Sequence, residues 1–236
     1  MRYCGVVGLQ GYLQLAVLEE VRTPEPPIRL SALFFEPGSS AQLAAELRTL
    51  GDVVVAFGTP VSLAPDGHSR RCDELLAERG VTPEPPLAEA LRLHLLLNGA
   101  APFTPEASGE QGTVPEGAYR DFPVFETSPD GVFCSLQGRR VPSRRHPVGM
   151  QMRIDELLSG HVIDDGGELW HRRTEELDAV ACALCAHRYA VGHASWLGDP
   201  GGSVIVLPGS SLPDRFSRHG VLPPVERLQL PPVADS

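Results

Sequence analysis

Apolar residues alternate or run together through positions 2–9 and 12–21, around Gly8 and Gly11. That spacing predicts a β-hairpin. Thr23-Pro24-Glu25-Pro26-Pro27 breaks the pattern, and the run from Ile28 to Phe35 predicts a third strand. Pro37-Gly38-Ser39-Ser40 then opens a helix over about 40–49, with Ser39 or Ser40 as its N-cap and Gly51 past its end. Asp52-Val53-Val54-Val55-Ala56-Phe57 has the length and uniform apolarity of a strand buried on both faces, and Gly58-Thr59-Pro60 terminates it.

The middle of the chain predicts helices at about 69–79 and 86–97, separated by a second Thr-Pro-Glu-Pro-Pro at 82–86 that reads as linker. Residues 98–120 are rich in Gly, Pro, Ala and Glu, and an unbroken loop of that length inside a domain is either mobile or a functional flap. Phe122-Pro123-Val124-Phe125-Glu126 predicts a strand weakened by its proline. A short helix is expected after Pro129. A longer one is expected over 147–159, with Val148, Ile154, Leu157 and Leu158 inward. Ser203-Val204-Ile205-Val206-Leu207 reads as a closing strand, and residues 209–236 as an irregular, proline-rich tail after a domain spanning 1–208.

The most apolar segment runs from Leu177 to Ala186, behind Thr174 as a candidate N-cap and Glu175 and Glu176 in the first turn. A helix apolar on nearly every face is a buried one. Asp178 stands at its mouth, and a carboxylate entering such a helix is costly unless it is paired, hydrogen-bonded or metal-bound. Strands followed by alternating helices and strands predict an α/β fold, a mixed central sheet that opens with the hairpin and is flanked by helices. Ligand sites in such sheets form at the carboxyl ends of strands. Glu126 is expected at such an end.

Composition narrows the chemistry. The formal charge of −10 over 236 residues argues against a broad basic face for long nucleic acid but leaves room for a local basic groove. All 20 basic residues are arginine, which removes Schiff-base, P-loop and general-base lysines. The five cysteines follow no framework spacing, and the start lacks the pattern of a signal peptide; together these point to reduced thiols and a cytoplasmic location. No stretch approaches a membrane span, so no membrane partner is expected. Cys182-Ala183-Leu184-Cys185 has no second CxxC to complete a zinc site, and reads as two small core residues. Arg139, Arg140, Arg144, Arg145 and His146 form the densest basic patch, either a solvated loop or an anion clamp ahead of a helix N-terminus, and the clamp would suit a nucleotide or nucleic acid.

Several segments, in order, resemble one family. They are Gly5-Val6-Val7-Gly8, Val54-Val55-Ala56-Phe57-Gly58-Thr59-Pro60, Arg70-Arg71-Cys72-Asp73-Glu74-Leu75-Leu76, Val124-Phe125-Glu126-Thr127-Ser128-Pro129, Ser143 to Leu158, Leu177 to Ala183, and Gly202 to Pro208. Together they resemble the ribonuclease H-like fold, and more closely an uncharacterised family described as predicted nucleases of that fold. The resemblance implies a divalent-metal-dependent nuclease or phosphodiesterase-type hydrolase. It implies Glu126 and Asp178 as catalytic residues and ligands of Mg²⁺ or Mn²⁺, and Arg144, Arg145 and Arg153 as phosphate-binding residues. It also implies a departure, because the family's first-strand and fourth-strand aspartate positions hold Val7 and Gly58 here. Two-metal chemistry needs several carboxylates around paired cations. The expectation is therefore a nuclease with weakened or lost catalysis, or alternatively a non-catalytic module that binds an anionic ligand or a protein.

Overall fold

The computed structural model describes residues 1–24, 28–64, 69–97, 102–106, 108–164 and 167–218. Among these residues nine strands form a single mixed sheet: β1 (Arg2–Leu9), β2 (Tyr12–Arg22), β3 (Ile28–Phe34), β4 (Val53–Phe57), β5 (Gln111–Thr113), β6 (Val124–Glu126), β7 (Val162–Asp164), β8 (Ala194–Gly198) and β9 (Val204–Pro208). Six helices accompany them: α1 (Ser40–Thr49), α2 (Arg71–Glu78), α3 (Ala88–Leu96), α4 (Pro129–Gln137), α5 (Pro147–Ser159) and α6 (Thr174–Ala190).

The strand order is β5-β8-β9-β6-β4-β1-β2-β3-β7. The first three strands form an antiparallel meander; β4 and β6 then add parallel to β1. This is the expected α/β architecture, a mixed central sheet that opens with a hairpin and is flanked by helices. The β1–β2 hairpin turns through Gln10 and Gly11, both at positive φ (42° and 89°), which is the pairing that a two-residue hairpin matched to strand twist requires.

Strand alternation divides the core in two. Cys4, Val6, Leu13, Leu15 and Val17 pack against α1 and α3 with Leu43, Leu47 and Leu93. Tyr3, Val7, Ala16 and Leu18 face the other layer, where α6 lies with α4 and α5. Gly5 shows how tightly α6 crosses β1. A Cβ there would stand 1.9 Å from the Ala179 carbonyl oxygen and 2.5 Å from the Ala183 nitrogen, so only glycine lets the two backbones meet. That crossing carries the first turn of α6 to the carboxyl end of β1.

Several elements differ from the sequence expectation. Arg173, not Thr174, is the N-cap of α6, and its backbone N–H donates to the Glu176 carboxylate at 2.8 Å. Leu158 points to solvent at 48 % exposure and Val148 is half-buried, while Ile154 and Leu157 are buried as expected. The 98–120 segment is not one loop: its described part contains β5, paired antiparallel with β8, and a 3-10 turn over Ala118–Arg120. Strands β7 and β8 were not anticipated. β7 pairs with β3, which is distant in sequence, whereas β8 forms an antiparallel hairpin with β9, the next strand, and takes the distant β5 on its other edge. Past residue 208, Phe216 is buried in the main core; residues 219–236 of the expected tail lie outside the described residues.

Candidate functional site

A pocket of about 210 Å³ opens where the carboxyl ends of β1 and β4 meet the head of α6. Val7 and Gly58 line it beside Asp178, so three positions singled out by sequence share one cavity. Leu9 to Gly11 of the hairpin turn, Pro129 at the start of α4, Glu175, and the segment Glu84–Leu87 complete the wall, with Arg144 reaching in from the α4–α5 loop. Gly58 has no spare room. A Cβ there would meet Cys182 Sγ at 2.7 Å, Val7 Cγ1 at 2.8 Å and Pro129 Cγ at 3.0 Å.

Asp178 is 1 % exposed. Its Oδ2 accepts from Arg144 at 2.6 Å, while Oδ1 is buried and has no hydrogen-bond partner. The other arm of the same guanidinium donates to Glu84 at 3.0 Å. Burial raises the Asp178 carboxyl to about 7, against the opposing pull of Arg144. Burial likewise raises Glu84. Arg144 is raised because its two carboxylates outweigh its own desolvation. The pair is asymmetric for a physical reason. Arg144 keeps 37 % of its side-chain surface in water, whereas Asp178 has lost its hydration and one guanidinium arm does not replace it.

Glu126 belongs to a different network. It is 3 % exposed at the end of β6 and pairs with Arg70. It also accepts from the Val61 backbone N–H at 3.0 Å and the Ser62 hydroxyl at 2.7 Å. Arg70 in turn forks onto Asp73, at 2.7 and 2.8 Å. Burial opposes the charge on Arg70, but Asp73 and Glu126 outweigh it. The structure thus places Glu126 and Asp178 in two separate ion-pair clusters, and Glu126 is not among the residues lining the pocket.

The arginines also separate. Arg153 is 1 % exposed, pairs with Asp130 and donates to the carbonyls of Pro142 and Gly149. Arg140 packs against Gly80. Arg145 is exposed, and among the described residues its side chain makes no ion pair. The two cysteines of the CxxC are fully buried, and burial holds both thiols well above their usual range.

The donor set does not fit a metal. Among the described residues no three His, Cys, Asp or Glu side chains converge so as to hold an ion. In the pocket, a guanidinium lies between the two nearest carboxylates. A carboxyl group titrating near neutrality can move protons. The pocket, however, supplies no partner nucleophile: the Thr59 hydroxyl donates to the Pro85 carbonyl at 3.0 Å, and the lining contains no serine, histidine or cysteine.

Sequence reasoning missed Glu84 and Arg70. Glu84 sat inside a segment read as linker, although a glutamate fixed between Pro83 and Pro85 is held on a stiff backbone. Arg70 stands in a helix-start motif, and nothing local marks it as the partner of Glu126, 56 residues away. No helix among the described residues is long and apolar enough to cross a membrane.

A family model described as "Protein of unknown function (DUF429)" matches residues 20–201. No curated protein matches the chain. The chain is also similar to a Thermus thermophilus RuvC structure at 13 % identity and a TM-score of 0.39, over 80 % of this chain and 94 % of that one.

Proposed function

The chain belongs to that family of unknown function, and we propose that it is a ribonuclease H-like module in which metal-dependent hydrolysis has given way to ligand binding in the pocket at the head of α6. The observation that carries this reading is the Arg144 fork. A single guanidinium bridges Asp178 and Glu84, and so occupies the position between carboxylates that a cation would need. In this reading Val7 and Gly58 stand where ligating carboxylates would be required. The close packing around Gly58 supports that, because Cys182, Val7 and Pro129 fill the space a longer side chain would use. Two-metal hydrolysis needs cations about 3.5–4 Å apart held by several carboxylates. Glu126, neutralised by Arg70 in its own cluster, does not complete such a set.

The reading replaces both the metal and the phosphate-binding roles suggested for Glu126, Asp178, Arg144 and Arg153. Each of these side chains already has an internal partner of opposite charge. Calorimetric titration of the full chain with Mn²⁺, alongside cleavage assays on short DNA and RNA oligonucleotides, tests it. No Mn²⁺ binding at millimolar concentration and no cleavage above buffer are expected. Mn²⁺-dependent cleavage that disappears in Asp178→Asn would restore the nuclease.

A further inference from the structure

We propose that this pocket binds a small organic cation bearing N–H donors, such as an amidinium, guanidinium or primary ammonium group with an apolar remainder. The proposal rests on the ligand-binding reading above and specifies the chemistry of its ligand. The first observation is the unpartnered Asp178 Oδ1. It belongs to a side chain 1 % exposed that lines the cavity, and a buried carboxylate oxygen left without a donor costs stability. Among the described residues five other buried side-chain atoms also lack a partner, but none belongs to a residue lining this cavity; here the atom marks a place where a donor is missing beside the pocket.

The second observation is the charge balance. Asp178, Glu84 and Glu175 all line the pocket, against Arg144 as its one cation. Arg144 is already neutralised by two of those carboxylates. The surplus is negative, so an anionic ligand would enter against it, and a cation with it. The third observation is the remaining wall. Val7, Leu9, Pro85, Leu87 and Pro129 add apolar surface to the same lining as the carboxylates. An amphipathic ligand places its N–H group on Asp178 Oδ1 and its hydrocarbon on this wall. The volume is below the roughly 300–1,000 Å³ of drug-sized sites, which limits the ligand to a small molecule or a single side-chain head.

A guanidinium can come from a free metabolite or from an arginine of a partner peptide, and the test separates them. The full chain is titrated calorimetrically with benzamidine, with the neutral isostere benzamide, with inorganic phosphate, and with the peptide Gly-Arg-Gly amide. Benzamidine is expected to bind saturably and raise the melting temperature, while benzamide and phosphate do not. Asp178→Asn should weaken benzamidine by about tenfold or more, the scale of one charge-assisted hydrogen bond. Should that variant fold poorly, Glu84→Gln, which keeps the side-chain shape, should still weaken it several-fold. Tighter binding of the peptide than of benzamidine assigns the cation to a partner protein; the reverse assigns it to a free ligand. Absence of benzamidine and peptide binding up to tens of millimolar overturns the proposal, as does equal binding of benzamide or an unchanged affinity in both variants. These failures are separable from failure of the non-catalytic reading, which only Mn²⁺-dependent cleavage would produce.

Discussion

Two buried acids at the carboxyl ends of this sheet each meet an arginine, and they end in different states. Around Glu126 both oxygens are answered: Arg70 pairs with it, the Val61 N–H and the Ser62 hydroxyl add donors, and Arg70 is itself held by Asp73. Around Asp178, a residue that lines the cavity, one oxygen is paired and the other is buried without a donor. The first cluster is internally paired, although Arg70 and Ser62 also line a separate pocket. The second is open, and its arginine remains one-third in water. Burial alone does not distinguish a site from a strut; what distinguishes them is whether the surrounding donors complete the acid.

That contrast predicts where damage falls. Removing Arg70 leaves the Glu126 carboxyl group without a countercharge in a site 3 % exposed. Breaking a buried pair on one side typically costs about 3–5 kcal/mol. Arg70→Met should therefore lower unfolding free energy by roughly that amount in urea denaturation. The same substitution at half-exposed Arg144 should cost distinctly less, because water can enter beside Asp178. Equal losses at the two arginines would erase the distinction between the internally paired and the open cluster.

The second test uses pH. In the unfolded chain Asp178 loses its proton near the ordinary aspartate value, while in the fold it keeps it to about 7. Between these limits the folded state binds more protons, so this group's contribution falls as pH rises from about 4 to 7 and is flat above. Asp178→Asn lacks that titration. The stability of the wild type relative to the variant should fall by about 3–4 kcal/mol between pH 4 and pH 8, measured by denaturant unfolding at each pH. A pH-independent difference would mean that Arg144 fully compensates the buried charge and that the site is as fully paired as the one around Glu126.

Much of this contrast was visible in the chain, though not the reason for it. The hairpin, α1 with its Ser39 cap, and α5 followed from local period and capping chemistry, which act within a few residues. Asp178, Val7 and Gly58 were recognisable as a set, and one cavity contains all three. Strands β5 and β7 were not legible, because three residues carry no period and their pairing comes from distant strands. The state of each acid was illegible for the same reason. Glu126 meets Arg70 across 56 residues and Asp178 meets Arg144 across 34, and only the closed sheet brings them together. The sequence predicts Asp178 to be paired, hydrogen-bonded or metal-bound; in the fold only one of its two oxygens is paired.

The smallest expected effect concerns the pocket's floor. If the open cluster is a ligand site and no longer a metal site, the floor should be packed as tightly as core. A Cβ at Gly58 would stand within 3.0 Å of Cys182, Val7 and Pro129. Gly58→Ala should therefore destabilise by about 1–3 kcal/mol through overpacking, with no gain from the added methyl. Val7→Ala removes one of the clashing atoms, so the double variant should be less destabilised than the sum of the single ones, by at least about 0.5 kcal/mol. Additive losses would show that the floor yields independently at each position. A floor that yields in that way has room for a longer side chain at 58, and the argument that packing has replaced ligation there would fail.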